Sequence, residues 1–248
     1  MVYILIIIFT GASFASLINV IVIRSQKGES FVTGRSHCPV CGHDLSFSDT
    51  LPVISYLSHL GKCRYCGCHI SFRYLCVEII GGLLSIITYL NYGLNIKGEL
   101  RLIVLFTLLA IALYDLDTMK IPDSYLIILF IQLIIDIFIN GLAFKQRVLG
   151  LLSVSLPMLV MTVITKGFGL GDVFITALCG MLFGYQIIIV GFLLAIFMGS
   201  IYSIIILIKK KHSLKERIAF APVLCTGIII AAFYGDRIIE GYLKLFGK

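Results

Sequence analysis

Charge is scarce in this chain. Only 13% of its 248 residues are Asp, Glu, Lys or Arg, against 59% hydrophobic. A soluble protein of this length buries one sizeable core, but it cannot hide that much apolar surface. The mean hydropathy of +1.05 excludes a water-soluble fold and points to a membrane protein. There is no internal repeat and no low-complexity tract. No basic segment precedes the first apolar run, and no clear cleavage site follows it, so that run reads as a retained helix rather than a signal peptide. The net charge of +7 is no nucleic-acid signal, because its placement follows the loops between apolar runs.

A helix needs about 20 apolar residues to cross a bilayer. Eight runs qualify: 2–23, 74–94, 101–118, 124–141, 147–165, 172–185, 186–208 and 219–235. The sixth and seventh are separated only by Gly184-Tyr185-Gln186. The fold expected is therefore an all-α polytopic membrane protein with about eight transmembrane helices and one small zinc-knuckle-like cytoplasmic loop domain. The expected division is a first transmembrane helix at 1–23, a cysteine-rich loop domain at 24–73, and a multi-helix membrane domain at 74–248. With the N-terminus outside, 13 of the 20 basic residues fall in inner segments. They run from Arg24 to Arg73, then Lys120, Lys166 and the Lys209–Arg217 stretch. Arg101 and Arg147 count among the outer ones. The excess supports N-out, C-out. Lys209-Lys210-Lys211 reads as an anchor at the anionic inner leaflet.

The 24–73 segment is the one long polar loop, too short to fold on apolar burial alone and in need of a staple. Cys38-Pro39-Val40-Cys41-Gly42 and Cys63-Arg64-Tyr65-Cys66-Gly67 are two CxxC knuckles. Each turn points two sulfurs at one centre, and together they close a tetrahedral thiolate shell with no open position. That is a structural zinc site. An inner-face location argues against disulfides, and no strand–helix pattern around the pairs supports a thioredoxin-like redox role. Cys68 and Cys76 lie close enough in sequence to serve as ligands, but the CxxC turn favours Cys66. Cys179 and Cys225 sit inside helices as packing residues.

Two acids stand at one edge of the apolar runs. Asp115 lies about a turn from the inner end of the third run, and Asp172 follows Gly169-Leu170-Gly171 at the inner start of the sixth. A carboxylate near hydrocarbon is costly and is rarely kept without a task or a partner. Taken alone, Asp172 reads equally well as a helix N-cap. Its coincidence in depth with Asp115 suggests instead a carboxylate pair sharing one proton, an arrangement that activates water for peptide hydrolysis. Gly169 and Gly171 allow close approach of a helix or a peptide there. Asp117 lies about 200° round the helix from Asp115 and cannot face the same partner. Asp123 follows Pro122 and reads as the cap of the fourth helix. Asp136 has no matching acid and reads as a packing group with a hydrogen-bond partner. Glu78 stands just inside the second run with no assigned role.

At these residues the chain resembles the type IV prepilin peptidases and, more loosely, the wider GxGD intramembrane aspartyl proteases. Gly11-Ala12-Ser13-Phe14-Ala15-Ser16-Leu17-Ile18-Asn19-Val20 with Arg24 is similar to the family's first-helix signature. Ser36-His37-Cys38, Leu51-Pro52-Val53 and Gly61-Lys62-Cys63 carry its cysteine loop, closed by Arg73-Tyr74 and Glu78. Asp115 with Pro122-Asp123, Gly169-Leu170-Gly171-Asp172 and Phe220-Ala221-Pro222 resemble its later motifs. The family usually has Lys where this chain has Phe174, and Pro where it has Leu75.

The resemblance implies an aspartyl endopeptidase of the bacterial cytoplasmic membrane, with Asp115 and Asp172 catalytic and the active site facing the cytoplasm. Its substrates are prepilin or pseudopilin precursors, cleaved after the Gly that ends a short basic leader. Many members also N-methylate the new N-terminus with S-adenosylmethionine, although no glycine-rich cofactor loop is legible in 24–73. The short chain resembles members serving competence pseudopilins. A proton-coupled transporter would also use intramembrane acids, but nearer the midplane and with repeat symmetry. A zinc-loop membrane adaptor is the other alternative.

Overall fold

The computed structural model describes residues 2–30, 36–165, 167–208, 219–245 and 247. Arg35, Lys166 and the Lys209-Lys210-Lys211 anchor with Lys215 and Arg217 lie outside the described residues. The long helices are α1 (Val2–Lys27), α3 (Phe72–Tyr92), α4 (Ile96–Thr118), α5 (Asp123–Ile139), α6 (Phe144–Thr165), α7 (Leu170–Phe183), α8 (Tyr185–Ile208) and α9 (Ala221–Leu245), with a one-turn helix α2 (Ile54–Ser58) in the polar loop. Each of the eight apolar runs is thus one helix. Among the described residues the only bridges of β type are His37 with Asp44 and Lys62 with His69.

Five of these helices, α1, α3, α6, α8 and α9, are long and apolar enough to cross a membrane. The chain is a multi-pass membrane protein. α7 is shorter, with 14 residues, or about 21 Å at 1.5 Å per residue, against a hydrocarbon layer of about 30 Å. Local chemistry sets the helix ends. Gly184 takes φ +88° and terminates α7, so the single glycine between the sixth and seventh runs is enough to divide them. Gly93 at φ +71° ends α3 in the same way.

The chain forms two compact units, Met1–Gly98 and Glu99–Lys248. In the first, α1 and α3 pack antiparallel at van der Waals distance of their backbones. A Cβ on Gly11 would lie 2.6 Å from the Gly81 carbonyl oxygen, so only glycine fits. Buried Glu78 on α3 accepts a hydrogen bond from Ser16 Oγ on α1 (2.8 Å) and another from the backbone N–H of Val53 (2.7 Å). The second bond holds the polar loop where Val53 adopts φ +63°, a region costly for a β-branched residue. Glu78 therefore has a definite role: it fastens the loop to the helix pair.

In the second unit, buried Asp136 on α5 accepts a 2.9 Å ion pair from Arg147 Nη1 on α6. Arg147 also donates to the carbonyls of Asn140 and of Met181 on α7. The sequence expectation of a partnered Asp136 holds, and its partner is a cation first read as an outer-loop charge. Gly150 and Gly180 bring α6 and α7 backbones together, and Thr176 meets Met158 farther along. The α5–α6 and α6–α7 pairs are both antiparallel, so α5 runs parallel to α7. Arg101 near the start of α4 donates to the Leu182 carbonyl (3.2 Å) and lies over the Phe183 ring. That contact sets α4 antiparallel to α7.

Candidate active site and cysteine cluster

The antiparallel match of α4 with α7 has a direct consequence. Starting from the Arg101–Leu182 contact, Asp115 lies 14 residues along α4 and Asp172 lies 10 residues back along α7. Both therefore reach the opposite end of the pair. Each is 6% exposed, and each carboxylate lies within electrostatic range of the other. The backbone N–H of Ala221, the first residue of α9, lies close enough to the Asp115 carboxylate to favour its charged form. Asp172 Oδ2 accepts the N–H of Gly169 (3.2 Å), while its buried Oδ1 has no partner among the described residues. Cys225, one turn into α9 and fully buried, lies within range of both acids.

The local sequence explains these placements. Gly169 takes an extended conformation as the N-cap of α7, which makes Asp172 the third helical residue. This corrects the N-cap reading: Asp172 reaches back to the cap from inside the helix, half of a capping box. Gly171 abuts Ile121, where a Cβ would lie 2.8 Å from the Ile121 Cδ1, so the turn must be bare to sit against the α4–α5 connection. Ala221 opens α9, so its N–H is one of the donors that a helix start leaves without an intrahelical partner. The Phe168 and Phe220 rings, 5.1 Å apart, tie the turn before α7 to the segment before α9. Asp123 is not a cap. Pro122 occupies the N-cap with extended φ and ψ, and Asp123 is the first helical residue with no side-chain cap bond. Asp117 is exposed, as its angle on the helix implies.

In the polar loop the Sγ atoms of Cys38, Cys41, Cys63 and Cys66 all lie within 4.8 Å of one another. Tetrahedral Zn–S bonds of about 2.3 Å place sulfurs about 3.8 Å apart, and Cys38 to Cys66 is 3.9 Å. The two knuckles repeat one geometry. Gly42 N–H donates to Cys38 O and Gly67 N–H to Cys63 O, both at 2.9 Å, with both glycines near φ +70°. The His43 and Tyr65 rings, 3.7 Å apart, brace one knuckle against the other. Backbone N–H groups of Cys41 and Val40 hold the Cys38 thiol down to about 6, and those of Cys66 and Tyr65 lower Cys63, while Cys41 and Cys66, beside those sulfurs, are pushed up to about 11. This donor set fits a four-thiolate metal. Cys68 Sγ is 3.5 Å from Cys38 Sγ but outside the four-sulfur group, and Cys76 lies on α3.

A model of the bacterial peptidase A24 N-terminal domain matches residues 9–92, and one of the type IV leader peptidase family matches 102–204. A prepilin leader peptidase/N-methyltransferase of Pseudomonas aeruginosa is 32% identical over 231 residues, which is 90% of this chain and 79% of that protein.

The chain belongs to the type IV leader peptidase family.

Another family protein, the prepilin leader peptidase/N-methyltransferase of Bacillus subtilis, is 28% identical over 87% of this chain and 88% of its own length. That of Pseudomonas putida is 31% identical over 86% and 76%. No solved structure matches. The family-model match ends at residue 204, so it does not reach the Ala221 N–H beside Asp115. Sequence reasoning quoted Phe220-Ala221-Pro222 without a role; the signal available was a proline marking the first turn of a helix, where backbone N–H groups lack intrahelical partners. It also missed Arg147 as the partner of Asp136, because Arg147 was counted with the outer-loop charges.

Proposed function

We propose that this protein is an aspartyl endopeptidase that removes the leader from prepilin-like precursors at the cytoplasmic face of the membrane. The observation that supports the reading is that two buried carboxylates, Asp115 and Asp172, stand within electrostatic range at the same end of an antiparallel helix pair. Two carboxyls in such a place hold one proton between them. The ionised member takes a proton from water, and the protonated member donates to the scissile carbonyl oxygen. Asp172 Oδ1, buried and without a partner among the described residues, is free for this exchange. Gly171 is bare because Ile121 packs on it, and Gly169 is left as the position of the turn without a side chain beside the Asp172 carboxylate.

Cys38, Cys41, Cys63 and Cys66 would hold a zinc ion, which would supply a closed structural cross-link rather than a reactive position. The relatives carry N-methyltransferase in their names. Among the described residues of 24–73 no glycine-rich loop leads into a long helix as a cradle for S-adenosylmethionine, and no step is assigned to that cofactor. The test is mass spectrometry of a co-expressed prepilin's N-terminus. Cleavage after the leader glycine supports the reading, and an added methyl group, about 14 Da, reports the second activity. An uncleaved prepilin beside well-inserted protein overturns it.

A further inference from the structure

A groove of about 690 Å³ runs between α5, α6 and α7. The Arg147 bonds set Asp136 on α5 level with Met181 on α7, which fixes the far end of the groove. Because α5 and α7 are parallel, Ile137 and Met181 lie at that end, and Asp123 and Phe174 lie at the mouth. From Asp123 to Ile137 the groove follows α5 for about 20 Å, at 1.5 Å per residue. Ile134 and Leu178 line its middle. Among the described lining residues Asp123 alone carries a charge. The mouth lies at the same end of α7 as the site already described: Phe174 is exposed, two residues beyond Asp172 and about 200° round the helix from it, so a docked segment must cross the start of α7 to reach the carboxylate.

These features select an occupant. A long apolar trough with one acid at its catalytic end fits an apolar helix whose inner end is cationic. An acyl chain has no need of that acid on its own. We propose that this groove docks the transmembrane helix of the substrate, parallel to α5 and α7, with a leader cation facing Asp123 and the cleavage site led over the Gly169–Asp172 turn. Phe174 is a specificity-determining residue in this arrangement. It extends the apolar wall to the mouth and leaves Asp123 as the local charge. The inference rests on the peptidase reading for its substrate class.

The test places p-benzoylphenylalanine at Leu178 or, separately, Ile134 in an Asp172→Asn chain, which retains uncleaved substrate. The probe is a tagged apolar helix of about 20 residues behind a lysine-bearing leader. Ultraviolet light is expected to join the probe to both groove positions but not to Phe197, exposed on α8. Exchanging the leader lysines for glutamates is expected to reduce the adduct about tenfold. Equal adducts from Phe197, or adducts with phospholipid alone, would overturn docking. Cleavage of prepilin by the unsubstituted chain without groove adducts would sink docking and leave the peptidase standing. Groove adducts without any cleavage would support docking and sink the peptidase. Independently, Asp123→Lys is expected to raise KM about tenfold with kcat nearly unchanged, as like-charge contact predicts; a loss in kcat at unchanged KM would overturn the role of Asp123.

Discussion

Single residues divide here into those that would react and those that hold them. Asp115→Asn or Asp172→Asn keeps shape and volume but removes the shared proton. Either change is expected to cut leader removal by about 100-fold or more, the usual weight of a positioned acid or base, while insertion and heat stability stay near those of the parent. Normal processing in either variant, read by the N-terminal mass of a co-expressed prepilin, would refute the pair. Arg147 makes the opposite kind of prediction. Arg147→Met leaves Asp136 buried and uncompensated, at a cost of about 3–5 kcal/mol, whereas the double variant Asp136→Leu with Arg147→Met recovers much of that loss. Thermal unfolding in detergent reads both. If the single and double variants melt together, the ion pair is not what holds α5, α6 and α7 level.

At the scale of elements, the close backbones of α1 and α3 depend on bare positions. Gly11→Val would push a branched side chain into the Gly81 carbonyl and Ser85. It is expected to destabilise the protein by about 1–3 kcal/mol, as overpacking does, with loss of folded yield as the readout. The cysteine loop is an element held by a ligand. Metal ligation needs deprotonated sulfur, so protons compete with metal for the four cysteines. Purified protein is expected to carry about one zinc per chain, to keep it at pH 7.5 and to release it on acidification. Cys38→Ser should abolish the metal, and Cys179→Ser, a packing change, should not. Metal analysis that finds no zinc in the parent chain at pH 7.5 would remove the staple.

The elements were largely legible in the sequence, for a physical reason. Apolar run length reports helices in a membrane, and one glycine with positive φ at position 184 suffices to break a run. Both CxxC turns were legible because metal ligation by sulfur is local. Capping was read less well. Asp123 and Asp172 are each displaced from the cap they resembled, since Pro122 and Gly169 take the extended cap conformation ahead of them. Contacts across the chain were legible only where like chemistry marked both partners, as with the two acids and the two CxxC turns. Nothing near Asp115 announces Ala221, 106 residues away, and nothing near Asp136 tells that Arg147 turns inward.

At the scale of the molecule, orientation decides whether the proposed chemistry meets its substrate. The placement of basic residues predicts a chain with both ends outside. On the positive-inside rule, the segments that carry 13 of the 20 basic residues are expected to face the cytoplasm. Two reporters follow. A C-terminal alkaline phosphatase fusion is expected to be active and the corresponding green fluorescent fusion dark. A cysteine placed at Phe47, which is 83% exposed in the loop, is expected to resist a membrane-impermeant maleimide in whole cells and to react after lysis. The two readouts are independent, because one reports the end of α9 and the other the loop between α1 and α3. If Phe47→Cys is labelled from outside, the loop is external, the paired acids face the wrong compartment for a leader held in the cytoplasm, and the peptidase reading fails on topology even with its carboxylates in place.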